Sequence, residues 1–412
     1  MGYVSNLTCL CLSLQPSFLQ CILTSSQVVY TFFHGVARVK TSRPTILILT
    51  FSTGGGHVNL AHSLRDMLST TYSVDIADPY PANILQQYYT LLSRHFLPLW
   101  NLQYTYTDSK TMSLLLHRVL TALIKKRLIA AIEKVKPQLI ISTHSLLSYE
   151  IARAIEGIEQ TVPLVFQLTD LEEVHVSWFT EKHAHAYLAP TREICAQALE
   201  EGIARERVYT TGRPIRRQFL QPPGEERDET LSKLSLNPTL PTIFLQGGAQ
   251  GSAGIEWTIK SILTADVPMQ IILAAGNNTQ LAASFAGIEH LRVLPFTETI
   301  VPYMAASDLI VGKAGASFLS EAFMLEKPFL VTTYIPGQEA PNLRFLERYN
   351  VGWVCLDAGA VKPLLEHVMS DTTVIAQKIA SIRAYKAWNM QANQNIPLII
   401  EELLTQSGHA NR

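Results

Sequence analysis

The chain has 412 residues, of which 47% are hydrophobic and 16% charged, and its formal net charge is −1. This length predicts two or three domains with sizeable cores, and the near-neutral charge argues against nucleic acid as a partner. Three of the five cysteines lie in the first 21 residues and the other two are isolated. The sequence therefore predicts neither a disulfide framework nor a zinc site.

Residues 1–42 differ in composition from the rest of the chain. They are rich in Leu, Ser, Cys and Phe, but Asn6, Gln15, Pro16 and Gln20 interrupt the apolar run. A spanning helix needs about 20 apolar residues in succession, and a signal peptide needs a basic start that is missing here. We predict a poorly ordered leader, with a membrane-associated extension as the alternative.

From residue 43 onward, apolar runs alternate with helical patterns. Nine runs fit buried parallel strands, at residues 45–50, 139–143, 163–168, 185–190, 242–246, 269–276, 291–295, 308–313 and 328–333. This alternation predicts an α/β fold of two doubly wound, Rossmann-like domains that face each other across a cleft, with ligands at the carboxyl ends of the strands. The predicted parts are an N-terminal domain (43–220), a Pro-rich linker (221–241), a C-terminal domain (242–375), and C-terminal helices (376–412) that pack back across to the N-terminal domain.

The first motif is the GGGH turn that follows the first strand. Gly55 and Gly56 let the chain turn sharply, and the helix after them presents unpaired N–H groups. A neutral imidazole at His57 is suited to take a proton from an attacking hydroxyl near neutral pH. The alternative is a tight strand-to-helix turn that His57 merely caps.

Two further loops suit a nucleotide-sugar. Glycines after the strand at 242–246 predict a backbone cradle for a diphosphate, to which polar side chains add donors; the residues are Gly247, Gly248, Gln250, Gly251 and Ser252. Lys313 and Gly315 follow the strand at 308–313, and Glu321 on the next helix is predicted to accept the ribose hydroxyls. Gln338 and Glu339, with Asn342, follow a rigid turn and suit the hydroxyls of a sugar ring. The alternatives are a simple Gly-rich loop after the strand at 242–246, an exposed helix position for Glu321, and an ordinary solvated loop for Gln338 and Glu339.

The segment at 167–179 predicts the border of an acceptor pocket. Asp170 ends a strand, and His175 and Trp178 follow it. Asp170 has the chemistry of a base or of an imidazole orienter. It has equally the position of a helix cap.

Residues 94–136 predict a membrane-binding surface. They hold eight Lys or Arg against two acids, interleaved with aromatic residues such as Trp100. Leu116, Leu120, Leu123, Ile124 and Leu128 follow helical spacing, and Lys125, Lys126 and Arg127 add a basic cluster. Such a helix favours an anionic lipid surface. The alternative is a core helix with a solvated face.

Together these pieces resemble the monogalactosyldiacylglycerol synthase and processive diacylglycerol glucosyltransferase family, which is related to the MurG-type N-acetylglucosaminyltransferases. The matching pieces occur in the family's order over residues 43–370: TGGGH at 53–57, TDLEEVHVSWF at 169–179, TGRPIRRQF at 211–219, QGGAQG at 246–251, PFTE at 295–298, KAGASFLSEA at 313–322 and YIPGQEAPN at 334–342. The chain departs from the family at Phe318, where Thr is usual, and at Glu172 and Glu173, where small or polar residues are usual.

The resemblance implies a GT-B fold and an inverting transfer of galactose or glucose from a UDP-sugar to the hydroxyl of 1,2-diacylglycerol. It implies no cofactor and no catalytic metal, and peripheral attachment to the cytoplasmic face of a membrane. It places the uracil beside Phe296, the diphosphate on the loop from Gly247 to Ser252, and His57, Asp170 and His175 near the acceptor and the reaction centre.

Two alternatives stay open at this point. One is MurG-type transfer of N-acetylglucosamine to a polyprenyl-linked acceptor. The other is a UDP-sugar epimerase, which would convert its substrate without any acceptor and would give the basic aromatic segment no role.

Overall fold

The structure, a computed structural model, describes residues 43–52, 55–80, 84–156, 162–247 and 254–410. The predicted leader lies outside the described residues, as do Gly248, Gln250, Gly251 and Ser252. Two parallel six-stranded sheets organise the rest of the chain.

The N-terminal sheet has the strand order β2-β1-β3-β4-β5-β6, and every pairing is parallel. Its strands are β1 (Thr45–Leu49), β2 (Ser73–Ala77), β3 (Leu139–Ser142), β4 (Leu164–Gln167), β5 (Ala186–Ala189) and β6 (Val208–Thr210). The four inner strands β1, β3, β4 and β5 are almost wholly buried because helices cover both faces, as continuous apolar runs require.

The C-terminal sheet has the order β12-β11-β10-β7-β8-β9, again all parallel. Its strands are β7 (Thr242–Gln246), β8 (Gln270–Ala274), β9 (Leu291–Leu294), β10 (Leu309–Lys313), β11 (Phe329–Thr333) and β12 (Gly352–Val354). All nine strands expected from apolar runs are present in the two sheets.

Helices flank both sheets. On the N-terminal side they are α1 (Gly55–Leu68), α2 (Ile84–His95), α3 (Leu97–Thr107), α4 (Lys110–Val135), α5 (Ser145–Ile155) and α6 (Arg192–Glu200). The later ones are α7 (Arg227–Lys233), α8 (Ile255–Leu263), α9 (Thr279–Ser284), α10 (Val301–Ala305), α11 (Ala316–Met324), α12 (Ala340–Arg348), α13 (Ala358–Ser370), α14 (Thr372–Asn393) and α15 (Asn395–Ala410).

The segment that divides the two strand sets is more structured than its composition indicated. It contains α7, and Leu231 of that helix is buried in the C-terminal core. Arg227 also binds Asp308 at 2.9 Å, beside the start of β10. Much of residues 221–241 is therefore packed onto the C-terminal sheet.

The last two helices connect the two halves. Ile382 and Tyr385 of α14 lie in the core of the C-terminal sheet. After the break at Gln394, Ile396 and Ile400 of α15 are buried against Ile46 and the rest of the N-terminal core. The chain thus crosses from one sheet to the other at its end.

Candidate functional site

A cavity of about 180 Å³ lies between the two sheets, at the carboxyl ends of several strands. The described residues that line it come from both halves of the chain. Those on the N-terminal side are Gly55, Gly56, His57, Asn59, Tyr89, Thr169, Asp170, Arg213 and Arg216; those on the C-terminal side are Gln246, Ile300, Lys313, Gly315, Ala316, Ser317, Phe318, Glu321, Gln338 and Glu339. The structure therefore brings nine of the predicted site residues together: Gly55, Gly56, His57, Asp170, Lys313, Gly315, Glu321, Gln338 and Glu339.

His57 lies in the first turn of α1 with its ring in a defined tautomer. Its Nδ1 is 2.8 Å from the carbonyl oxygen of Thr143. Because a carbonyl oxygen only accepts, Nδ1 carries the hydrogen and the lone pair is on Nε2. Burial, helped by the charge of Arg213 and opposed by the Thr143 hydrogen bond, lowers the pKa of His57 to about 4. The neutral ring is the form that accepts a proton.

Asp170 is held by groups from both halves of the chain. Its carboxylate accepts from the Thr169 hydroxyl at 3.0 Å and from the Asn342 amide at 3.3 Å. Burial raises the pKa of this carboxyl, while Arg213 and the two hydrogen bonds oppose that shift. Asn342 is fully buried; it also accepts from the Leu171 N–H and donates to the Ala314 carbonyl. Its amide therefore joins the two halves and does not line the cavity, contrary to the sugar contact expected for it.

Lys313 and Glu339 form an ion pair on the C-terminal wall. The ammonium lies 2.5 Å from one carboxylate oxygen of Glu339, and the other oxygen accepts from the Ile335 N–H at 2.9 Å. Burial disfavours the charged ammonium, but Glu339, Tyr89 and Asp170 together outweigh it and raise the pKa of Lys313. Gln338 also lines the cavity, with its carbonyl oxygen 3.5 Å from the Tyr89 hydroxyl.

Glu321, the predicted ribose acceptor, lines the same wall. Its carboxylate accepts from Arg216 Nε at 2.7 Å. Burial raises the pKa of Glu321, and Arg216 opposes that shift. A carboxylate offers about four lone-pair directions, so this contact orients Glu321 and leaves acceptor capacity for hydroxyl groups.

His175, Trp178 and Trp100 lie away from the cavity lining. His175 binds Ser177 Oγ at 2.8 Å and Thr107 Oγ1 at 3.3 Å, so it supports the end of α3. Trp178 is only 2% exposed and belongs to the core of the N-terminal sheet, which excludes direct contact with a lipid surface. Trp100 packs edge-on against Tyr89 at 5.1 Å, with its indole nitrogen buried.

Phe296 is 64% exposed in the loop after β9 and lies apart from the cavity lining. Of the predicted diphosphate loop, Gly247 is described and buried at the end of β7, while its remaining residues lie outside the described part. Within the described ranges, no cluster of three His, Cys, Asp or Glu side chains could hold a metal ion. No helix in those same ranges is long and apolar enough to cross a bilayer.

The prediction that the leucines and Ile124 of α4 form one apolar side is partly wrong, because Leu123 is exposed. Leu120, Ile124 and Leu128 face the core, because residues at this spacing share one side of the helix. A second stripe, Leu115, Val119 and Leu123, is exposed on the opposite side. Lys126 continues that exposed stripe, and the exposed Lys125 and Arg127 flank it.

The exposed stripe has apolar neighbours on the two preceding helices and at their junction. The exposed side chains there are Tyr88, Leu91, Phe96, Leu99, Leu102 and Tyr106. Every side chain of α3 is at least partly exposed, although the helix is rich in Leu, Trp and Tyr. We call these residues together with Leu115, Val119 and Leu123 the apolar face. Such a concentration of exposed apolar side chains marks an interaction surface.

Two family models match the chain. The model described as Monogalactosyldiacylglycerol (MGDG) synthase matches residues 57–215, and the Glycosyltransferase family 28 C-terminal domain matches residues 242–385. This chain is similar to the monogalactosyldiacylglycerol synthases. It is 27% identical to the chloroplastic monogalactosyldiacylglycerol synthase of Spinacia oleracea over 329 residues, which are 74% of this chain and 62% of the spinach protein. The match thus spans less than two thirds of that relative.

Solved structures show the GT-B fold. MurG of Acinetobacter baumannii matches with a TM-score of 0.52 at 14% identity, over 88% of this chain and 99% of that one. The Anabaena HepE protein in complex with UDP matches with a TM-score of 0.53 at 14% identity, over 87% of this chain and 100% of that one. The predicted pair of Rossmann-like domains in a GT-B arrangement is confirmed.

The departure at Phe318 has a packing reason. Its ring lies edge-on to Phe329 at 5.1 Å, and a Cβ on Gly312 would meet it at 2.9 Å. The neighbouring Ser317 supplies a hydroxyl in the same turn, and that hydroxyl bonds the Gly56 carbonyl at 3.2 Å. Phe318 thus packs above a glycine, and Ser317 provides a hydroxyl one position earlier in the chain.

The departures at Glu172 and Glu173 also have a structural role. Glu172 pairs with Arg348 at 2.6 Å and Glu173 with Arg344 at 2.5 Å. Both arginines are on α12, on the C-terminal side, so the two acids join the halves of the chain instead of entering the cavity.

Sequence reasoning assigned no role to Arg213, Arg216, Ser317 and Tyr89, all of which line the cavity. The available signal was the crowding of three arginines into TGRPIRR directly after a strand. Their partners lie about 100 residues away in sequence, and only the fold reveals them.

Proposed function

We propose that this chain is an inverting glycosyltransferase that moves galactose or glucose from a UDP-sugar to the hydroxyl of 1,2-diacylglycerol. The observation that carries the proposal is His57 in its Nδ1–H tautomer, on the wall of a cavity whose opposite wall holds polar and charged groups suited to a nucleotide-sugar. The relationship to the monogalactosyldiacylglycerol synthases supports the choice of acceptor.

The donor is proposed to bind along the C-terminal wall. Glu321 accepts the ribose hydroxyls, and Gln338 and Glu339 contact the sugar ring. The loop from Gly247 to Ser252, of which only Gly247 is described, and the first turn of α11 are proposed to bind the diphosphate through backbone N–H groups. Phe296 is proposed to border the uracil, which requires its exposed ring to become covered when the nucleotide binds.

The reaction is a single displacement. His57 Nε2 takes the proton of the diacylglycerol hydroxyl while that oxygen forms a bond to the anomeric carbon. The bond from the anomeric carbon to the diphosphate oxygen breaks, and its electron pair leaves with UDP. The charge of the bound diphosphate favours the protonated ring, so the pKa of His57 rises above its value in the unliganded chain as the donor binds. Asp170, which lines the same cavity, is proposed to stabilise the imidazolium that forms.

Diacylglycerol resides in a bilayer, so the enzyme must work at a membrane surface. We propose that the apolar face inserts among the lipids while Lys125, Lys126 and Arg127 meet anionic headgroups. The proposed location is the cytoplasmic face of a membrane, with peripheral attachment. We propose that no metal or other cofactor takes part.

The function is tested by incubating the protein with liposomes that contain diacylglycerol, with UDP-galactose and UDP-glucose in separate reactions. The expected product is a hexosyl-diacylglycerol identified by its mass. Product only from a polyprenyl-linked acceptor with UDP-N-acetylglucosamine would favour the MurG-type alternative. Conversion of a UDP-sugar without any acceptor would favour an epimerase.

A further inference from the structure

Arg213 differs from the other cations of the cavity. Arg216 and Lys313 each have a carboxylate partner, Glu321 and Glu339 respectively. Arg213 is only 2% exposed, yet none of the described carboxylates lies within ion-pair distance of it. Burial therefore lowers the pKa of Arg213, and Asp170 and Glu321 oppose that shift only from beyond ion-pair distance. A buried charge that lacks a direct ion pair is costly, and such a cation on a cavity wall is suited to a ligand that supplies the opposite charge.

The guanidinium of Arg213 is aimed at the first turn of α11. One of its nitrogens donates to the Ser317 hydroxyl at 2.6 Å, and another donates to the Thr169 carbonyl. The first turn of a nine-residue helix presents N–H groups and the positive end of the helix dipole. Two independent sources of positive charge therefore meet at one point of the cavity wall.

Arg213 is also held in place from behind. The side-chain amide of Asn389 on α14 accepts from the backbone N–H of Arg213 at 2.7 Å and donates to its backbone carbonyl at 3.1 Å. Asn393 donates to the Thr211 carbonyl at 3.1 Å. Gly212, at φ +70°, has no room for a Cβ against these two amides. The helix that crosses between the halves thus fixes the backbone of a cavity arginine.

We infer that Arg213 is a catalytic residue that binds the diphosphate of the donor and stabilises the charge on the departing nucleoside diphosphate, with Asn389 as its positioning residue. This inference rests on the proposed function for the direction of the reaction. When the bond from the anomeric carbon breaks, its electron pair stays on the diphosphate oxygen, which gains one negative charge. A cation placed beforehand beside that oxygen favours the transition state over the bound donor.

Titration calorimetry with UDP and with uridine separates this role from a merely structural one. Arg213→Met is expected to weaken UDP binding by about 10–100-fold, the range for hydrogen bonds to charged groups. Binding of uridine, which has no phosphate, is expected to change by less than about twofold. Arg213→Lys keeps the charge without the forked geometry, so its UDP affinity is expected to lie between those of the unmodified protein and Arg213→Met. Arg217→Met, which removes an exposed charge from the same segment, is the matched control and should leave both affinities unchanged.

Equal weakening of UDP and uridine in Arg213→Met, or unchanged UDP binding, would overturn the inference. If Arg213→Met does not fold, the same comparison of the UDP and uridine affinities is made with Arg213→Lys. Asn389→Ala should weaken UDP but not uridine; a lower melting temperature with an unchanged ratio of the two affinities would show a structural role only. These measurements need no lipid acceptor. If no glycolipid forms, the proposed function is overturned. The contact between Arg213 and the diphosphate is still decided by the affinities for UDP and uridine.

Discussion

The Nδ1 atom of His57 lies 2.8 Å from the carbonyl oxygen of Thr143, and this contact decides which nitrogen of the ring is basic. The carbonyl follows directly after β3, and His57 follows β1, the neighbouring strand. The tautomer is thus set by the pairing of two adjacent strands. A neutral ring held in this way carries its lone pair on Nε2.

His57→Gln is expected to lower turnover about 100-fold or more, the usual scale for loss of a general base. Glutamine retains a donor for the Thr143 carbonyl but has no basic nitrogen. The measurement is kcat with saturating donor and diacylglycerol vesicles. His62→Gln, on the same helix but outside the cavity lining, is the matched control. Turnover close to that of the unmodified protein would remove His57 from proton transfer.

The pH dependence of kcat/KM should have an unusually acidic limb. The base acts in its neutral form, so the rate falls as the pH falls through the pKa of His57. Because burial lowers that pKa to about 4, the limb for the unliganded protein is expected near pH 4 and not near 6.5. The limb of kcat should lie at higher pH, since the bound diphosphate favours the protonated ring. A single limb near 6.5 in both profiles would contradict this assignment.

Glu321→Gln is expected to raise the KM for the UDP-sugar about tenfold with a smaller effect on kcat. The change removes the negative charge that pairs with Arg216 and that we propose accepts the ribose hydroxyls. A factor of ten corresponds to about 1.4 kcal/mol. Glu347→Gln makes the same change at an exposed position of α12 and should leave KM unaltered. An unchanged KM in Glu321→Gln would take this residue out of the donor site.

Replacing Leu115, Val119 and Leu123 together by Ser should reduce sedimentation with vesicles of any charge, because the apolar face loses buried area in the lipid. Replacing Lys125, Lys126 and Arg127 by Ser should reduce binding only to anionic vesicles, and that loss should fade at high salt. Leu263→Ser, at an exposed leucine of α8, serves as the control. Equal binding by all variants would place the membrane contact elsewhere.

Asn342→Ala should lower the free energy of unfolding by roughly 3 kcal/mol, since it leaves the buried Leu171 N–H and Ala314 carbonyl without their partner. It should also lower kcat, because Asp170 loses one of its two hydrogen bonds. Chemical denaturation and kinetics on the same preparation measure both effects. A loss of stability without any loss of kcat would indicate that Asn342 only joins the two halves.

The sequence predicted every inner strand and the edge strand β9, because each of these contains a continuous apolar run in a chain where such runs alternate with helical patterns. It did not predict β2, β6 and β12, which lie at sheet edges or are only three residues long; Ser73–Ala77, for example, is largely exposed or half-buried and carries Asp75. Helical spacing identified α4 but not which side faces the core, since two apolar stripes share that helix. The pairs that join the halves, such as Glu172 with Arg348, depend on contacts remote in sequence.

The most direct test of the account is the configuration of the sugar linkage in the product formed on diacylglycerol vesicles. The UDP-hexoses named above carry the sugar in α linkage, and a single displacement assisted by His57 inverts the anomeric carbon. The account predicts a β-hexosyl-diacylglycerol, identified by mass and by the anomeric proton coupling in its NMR spectrum. An α-linked product, or release of free hexose with no glycolipid, would contradict it.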